Sequence, residues 1–178
     1  MLKTLVIPVL FLVAAFSLRA ETSVAGVTFK APGSWQTVTP NSPMRAAQWT
    51  IPARKSGTDT GEVVLFYFGA GQGGDAQSNV QRWLKTMSSP TGGRADGEMK
   101  ERTVDGMKVT EVVAYGTYAS GMPMSGVPPV PKPDYGLAGV IIEGPQGNVF
   151  IRLIGPEPLA KAQLANFRQF VDSAKAAK

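Results

Sequence analysis

The sequence predicts an α+β fold: a three-layer α/β/α sandwich with a mostly antiparallel central sheet and two main helices. Three observations carry that expectation. Two segments, 75–87 and 156–174, place apolar residues at helical spacing along one face. The run Glu62–Phe68, EVVLFYF, is apolar on both alternating faces, so a layer must cover each side of its sheet. Successive strand-like runs are separated by tight turns, which favours antiparallel pairing.

The chain opens with a different kind of segment. Met1, Leu2 and Lys3 form a short basic start, and the uncharged apolar run Thr4–Phe16 follows it. Ser17–Ala20 then leads into polar sequence at Glu21, the layout of a secretory signal with cleavage expected after Ala20. The apolar run is shorter than the roughly 20 residues a membrane-spanning helix needs, and Pro8 disfavours a permanent anchor. No cysteine follows, which excludes a lipid-anchored lipoprotein. The competing reading is a buried N-terminal helix of a cytosolic protein. The expected organisation is a signal peptide over 1–20 and a single domain over 21–178, exported to the periplasm or the medium. No transmembrane segment is expected after cleavage.

Removing residues 1–20 leaves 158 of the 178 residues, and the net charge falls from +5 to +3 because Lys3 and Arg19 go with them. A chain of that length folds as one domain and buries roughly 70% of its unfolded surface. With no cysteine it does so without disulfides. Basic and acidic residues are intermixed rather than gathered in a stripe, so nucleic acid is not an expected partner.

The remaining elements follow in order. Val27–Lys30 is a short strand leading into APGSW, where Pro32 and Gly33 force a turn and Trp35 is placed to fold back into the core. Ala46–Ile51 is a second strand. A helix begins at Asp75, a good N-cap, with Val80, Trp83, Leu84 and Met87 as its apolar stripe. The loop SSPTGGRADG ends it. Glu98–Val104 and Lys108–Tyr118 are strands around the turn Asp105-Gly106. Residues 119–134, ASGMPMSGVPPVPKPD, read as one long irregular segment. Leu137–Ile142 and Asn148–Ile154 pair across GPQG. A last helix begins at Pro156–Pro158 and runs to Ala174, with Leu164, Phe167, Val171 and Ala174 on one face and Lys175 and Lys178 matching its dipole.

In this order FKAPGSW, EVVLFYF, the NVQRW helix, the AGVIIEGPQGNVFIRLIGP hairpin and the closing helix span residues 24–174. They resemble the PsbP-like superfamily, the α/β/α sandwich shared by the photosystem II extrinsic protein PsbP and a factor that releases nucleotide from the Ran GTPase. The resemblance implies a secreted bacterial branch of that superfamily with a binding or assembly role. It transfers no functional residue. A histidine-dependent metal site has no counterpart here, because the chain has no histidine.

The chemistry available is narrow. Without His or Cys there is no Ser-His-Asp or Cys-His arrangement and no typical zinc site. Acid–base work would fall to carboxylates, Lys or Tyr. The densest acids, Asp96, Glu98 and Glu101, read as a solvated face, with a weak calcium site as the alternative. Gly69, Gly71 and Gly74 fit G-x-G-x-x-G, but the polar EMKERTV after the helix closes no βαβ unit, and Asp75 occupies the phosphate position. They read as a glycine turn. Arg82 beside Trp83 reads as a rim cation next to a core ring, since adjacent helical residues point apart. No cofactor, no metal and no catalytic residue is expected.

The functional candidate is the segment 119–134. Its prolines keep it extended, Met122, Met124, Val127 and Val130 supply soft apolar surface, and Tyr118 and Tyr135 flank it. These six residues form the expected partner or ligand surface; the alternative is a long crossover packed on its own sheet. The leading reading is an exported non-enzymatic binding or assembly protein that docks onto a protein partner in the cell envelope. The alternative is a small-ligand carrier with a pocket between sheet and helix, gated by the same segment. A carboxylate-dependent hydrolase is the third reading.

Overall fold

The computed structural model describes residues 21–53, 60–120 and 128–177. The leader expected over 1–20 lies outside the described residues. Among the described residues eleven strands and two helices follow one another. Strands β1 (Glu21–Val24), β2 (Val27–Lys30), β3 (Gln36–Val38), β4 (Arg45–Ile51) and β5 (Gly61–Phe66) precede α1 (Ala76–Leu84). After it come β6 (Met87–Ser88), β7 (Gly97–Val104), β8 (Met107–Ser120), β9 (Val130–Gly144) and β10 (Gly147–Pro156), then α2 (Glu157–Asp172) and β11 (Lys175–Ala176).

The main sheet has the order β3-β4-β5-β10-β9-β8-β6, with β7 also paired to β8. Every pairing described is antiparallel, and a separate three-stranded sheet runs β1-β2-β11. Asp105 and Gly106 both take positive φ, 50° and 81°, the backbone that a two-residue hairpin needs to match strand twist. The β9–β10 hairpin turns across Pro145 and Gln146 and stays in register from Gly144↔Gly147 to Tyr135↔Pro156.

Alternation divides the core into two clusters, one on each face. Val149, Ile151 and Leu153 of β10, with Ala138, Val140 and Ile142 of β9, face α2 and its Phe167, Phe170 and Val171. There Phe170 meets Phe29, Trp35 and Trp49 at ring separations of 5.2–5.4 Å, and Trp35 Nε1 donates to Gln163 Oε1. Phe150 and Ile154, with Leu137 and Ile141, face the other way against Val80, Trp83 and Leu84 of α1. Val63, Val64 and Leu65 of β5 are all buried, as its two-sided pattern requires. The α/β/α sandwich with an antiparallel sheet and two helices is therefore the observed architecture.

Four expectations need correction. The segment 119–134 is not irregular throughout. Ser120 pairs with Val130, Ala119 with Pro131 and Tyr118 with Lys132, so β8 and β9 extend as a ribbon on either side of 121–127, which lie outside the described residues. Proline is tolerated there because its missing N–H can face away from the partner strand. Met87 is buried, but in β6 rather than in the helix. Lys85 caps α1, Thr86 Oγ1 donates to Trp83 O, and the chain then pairs with β8. The strand beginning at Glu62 stops at Phe66, because Tyr67 N donates to Met44 O and Tyr67 Oη to Gln146 O. Helix α2 ends at Asp172, and Lys175 lies in β11 with its Nζ 3.1 Å from Asp105 Oδ1, so it does not sit in the helix's last turn; Lys178 lies outside the described residues.

Candidate functional site

The glycine-rich turn before α1 sets up the α1 face of the sheet. Gly73 takes φ +87°, and a Cβ there would sit 2.7 Å from Phe150 and 2.8 Å from Phe68. The turn therefore lies directly on two aromatic rings, and glycine is what lets it. Asp75 caps the helix by accepting from Ser78 N at 2.8 Å and from Ser78 Oγ at 2.7 Å. Those two bonds, the hydroxyl first, hold the Asp75 carboxyl below its ordinary value. The helix N-terminus is thus filled by the chain's own carboxylate. Buried Asn79 donates to Gly73 O at 2.8 Å and Asp75 O at 2.9 Å, and its Oδ1 accepts from Arg82 Nη2. One amide so ties the turn to the helix and holds a cation at the helix edge.

Between α1 and the sheet lies a cavity of about 510 Å³. Its apolar wall is Phe66 at the end of β5, Phe68 just beyond, Trp83 on α1 and Phe150 on β10. Phe66 and Phe68 stack at 6.2 Å with nearly parallel rings, and Phe68 meets Phe150 edge-on at 5.4 Å. Tyr118, Ala119 and Pro129 close the side nearest the β8–β9 ribbon, while Asn79, Thr86, Lys85, Arg82 and Arg152 supply the polar groups. Among the described residues no Asp or Glu lines it.

Arg152 is the unusual member. It lies on β10 between Phe150 and Ile154, on the α1 face, and is half-buried. Its guanidinium sits 5.6 Å from the centroid of Phe66 and makes no ion pair among the described residues. The neighbouring carboxylate, Glu62, is held by Arg45 at 2.5 Å and Gln48 at 2.9 Å. Burial pushes the Arg152 guanidinium below its ordinary value. A cation over an aromatic ring keeps part of its solvation loss compensated, and its donors stay available.

No protein-family model matches the chain, and no curated protein matches it in sequence. Solved structures do. The chain is similar to LpqN of Mycobacterium tuberculosis, a protein involved in cell envelope biogenesis, at a TM-score of 0.54 and 13% identity over 85% of this chain and 83% of that one. It is also similar to cyanobacterial PsbP from Synechocystis at a TM-score of 0.53 and 13% identity, covering 92% and 96% of the two chains. The chain has the PsbP-like fold. At this identity the likeness is one of fold, and the site has to be argued from its own residues.

On the opposite face of the PsbP-like sheet lies a polar cluster. Glu111 of β8 is 2% exposed, and both its oxygens are engaged. Arg168 of α2 donates to Oε1 from Nε at 2.9 Å and Nη2 at 2.5 Å, and Arg102 of β7 reaches Oε2 at 3.3 Å while also holding Asp172 at 2.8 Å. Hydrogen bonding to Glu111 raises the Arg168 guanidinium. A buried carboxylate held on both oxygens by arginines is a clamp between β8, β7 and α2. Asp96, Glu98 and Glu101 are exposed, with Lys100 on Glu98 at 2.8 Å and Lys108 on Glu101 at 3.0 Å. No group of three or more acids could hold a metal ion among the described residues.

The sequence-predicted surface residues are placed as follows in this PsbP-like frame. Tyr118 and Tyr135 are brought together, their rings 6.3 Å apart and 17° from parallel, with Lys132 Nζ 5.4 Å from the Tyr135 centroid. Tyr118 also lines the cavity. Val130 is 59% exposed at the first position of β9. Met122, Met124 and Val127 lie outside the described residues. The residues that the sequence reading passed over are Phe66, Phe68, Phe150 and above all Arg152. Its signal was present: one charge within the apolar strand NVFIRLI, on the face that carries Phe150 and Ile154.

Proposed function

We propose that this chain is an exported, non-enzymatic protein of the cell envelope that binds a small ligand in the cavity between α1 and the sheet. The observation that carries the proposal is the cavity itself, about 510 Å³ with aromatic walls and a few convergent polar groups, the size and composition of small-molecule sites. Export rests on the leader layout of residues 1–20. An envelope role is supported by the fold shared with LpqN, whose own involvement is in cell envelope biogenesis. No helix of the described residues is long and apolar enough to cross a membrane. The non-enzymatic reading draws on the absence of His and Cys and on a buried Glu111 already held by two arginines.

The test is recovery of the mature protein, residues 21–178, from the envelope fraction of its own cells, followed by mass spectrometry under native and denaturing conditions. A bound small molecule is expected, and it should be lost from Ala119→Trp, which fills the cavity from its edge. Protein that emerges empty, and binds nothing from an envelope lipid extract, would remove the proposal.

A second reading keeps the ribbon as a docking surface for an envelope protein. It is favoured by one observation: residues 128–134 are all exposed, Val130 at 59%, although 130–134 are strand. A photo-crosslinker at position 130 that traps a single envelope protein would support it, and one that traps none would retire it.

A further inference from the structure

We propose that the ligand of the α1-face cavity is an amphiphile with one anionic head group, a carboxylate or a phosphate, held by Arg152 with its apolar body against Phe66, Phe68, Phe150 and Trp83. This inference rests on the ligand-binding reading above and specifies its chemistry.

The charge of the lining decides the class. Among the described residues three cations, Arg82, Lys85 and Arg152, line a space that no carboxylate lines, while the other half-buried arginines are paired. Arg45 is held by Glu62, and Arg102 and Arg168 by Glu111. Arg152 alone among these has no ion pair among the described residues: its guanidinium lies over the Phe66 ring, and the nearby Glu62 carboxylate is taken by Arg45. A buried charge is costly unless paired and hydrogen-bonded, and a cation–aromatic contact supplies only part of that compensation. An incoming anion would supply the rest, in the planar, two-pronged geometry that arginine offers to carboxylate and phosphate.

The position of the charge decides that the ligand is also apolar. Arg152 follows Phe150 along the same face of β10, beneath α1, while Arg82 and Lys85 are exposed at the helix edge. A small inorganic anion would satisfy the cation and leave the walls of Phe66, Phe68 and Trp83 uncovered. A neutral apolar molecule would cover the walls and leave the guanidinium unpaired. Only a molecule with both parts answers both surfaces.

The test is a tryptophan-fluorescence titration of the mature protein with ligands that share a twelve-carbon chain: dodecanoate, dodecyl phosphate, dodecanol and dodecyltrimethylammonium, each below its micelle concentration, with inorganic phosphate as the head group alone. The two anions are expected to bind at least about tenfold more tightly than the alcohol, a factor corresponding to about 1.4 kcal/mol. The cation and inorganic phosphate are expected to bind least. Arg152→Gln should bring the anions down to the alcohol, while Arg152→Lys keeps part of the preference. If Arg152→Gln does not fold, Lys85→Gln with Arg82→Gln at the rim should reduce the preference by a smaller factor.

Equal binding of alcohol and anions would overturn the anionic assignment and leave the cavity reading standing. Binding of inorganic phosphate as tight as that of dodecyl phosphate would overturn the amphiphile. Binding of none of the probes would overturn the cavity reading and this inference with it.

Discussion

At the scale of single residues, two polar side chains show opposite solutions to burial. Glu111 is enclosed in the α2-face core and satisfied by two arginines, so its charge serves architecture. Arg152 is half-buried on the other face and has a ring but no ion pair among the described residues, so its charge points to a ligand. Asp75 is a third case, an exposed acid that works on its own helix. Its carboxyl is lowered from 3.8, so its contribution is complete above that ordinary value and is lost as pH falls through the lower folded value. Asp75→Ala should therefore melt below the wild type at neutral pH, and the gap should close on acidification below about pH 4. Thermal melts across that range check it, and a gap that stays constant with pH would refute the capping role of the charge.

At the scale of elements, the docking of α1 depends on a missing side chain in the sheet. Trp83 lies over Gly139 of β9, where an added Cβ would approach the indole to 2.3 Å. A rigid ring cannot yield that distance without moving the helix, and overpacking of this kind costs about 1–3 kcal/mol. Gly139→Ala should lose that much stability in chemical denaturation. Since Trp83 is also a cavity wall, it should weaken ligand capture as well. Trp83→Phe in the same chain should recover part of the loss, because the two positions touch and their effects do not add. An additive double variant would show that the close approach is not the cause.

At the scale of the whole molecule, the sheet separates two faces with different duties. One carries α2, the aromatic cluster around Phe170, the Glu111 clamp and the small sheet; the other carries α1 and the cavity. The C-terminal strand closes the first of these: Ala177 N donates to Gly26 O at 2.7 Å and Ala176 N to Asp105 Oδ2 at 2.9 Å, while β11 pairs with β2. Ending the chain at Ala174 should cost about 1–3 kcal/mol, a few hydrogen bonds at about 0.5–1.5 kcal/mol each. It should speed amide exchange at Val27 and Thr28 and leave ligand binding on the other face unchanged. Loss of binding in that truncation would mean the two faces are coupled.

How much was legible beforehand follows from the range of each signal. Hydrophobic period and turn chemistry are local, so both helices, the strand buried on two sides, the Asp105-Gly106 turn and the hairpin across Pro145 and Gln146 could be read from neighbouring residues alone. Those elements in that order were also enough to suggest the PsbP-like sandwich. The strand ends of the ribbon were not legible, because proline-rich sequence pairs only when a partner strand is already in place. Nor was β11, whose two residues are strand only because Val27 and Thr28 lie beside them. The site escaped for the same reason. Phe66, Phe68, Trp83, Phe150 and Arg152 come from three separate stretches of chain, and apart from the lone charge of Arg152 within NVFIRLI each reads as ordinary core by itself. The layers, the turns and the lack of His and Cys chemistry follow from the order of the amino acids alone. That these five positions stop short of filling the space between α1 and the sheet is set by the packed fold, because packing volume and charge pairing are properties of what meets across it.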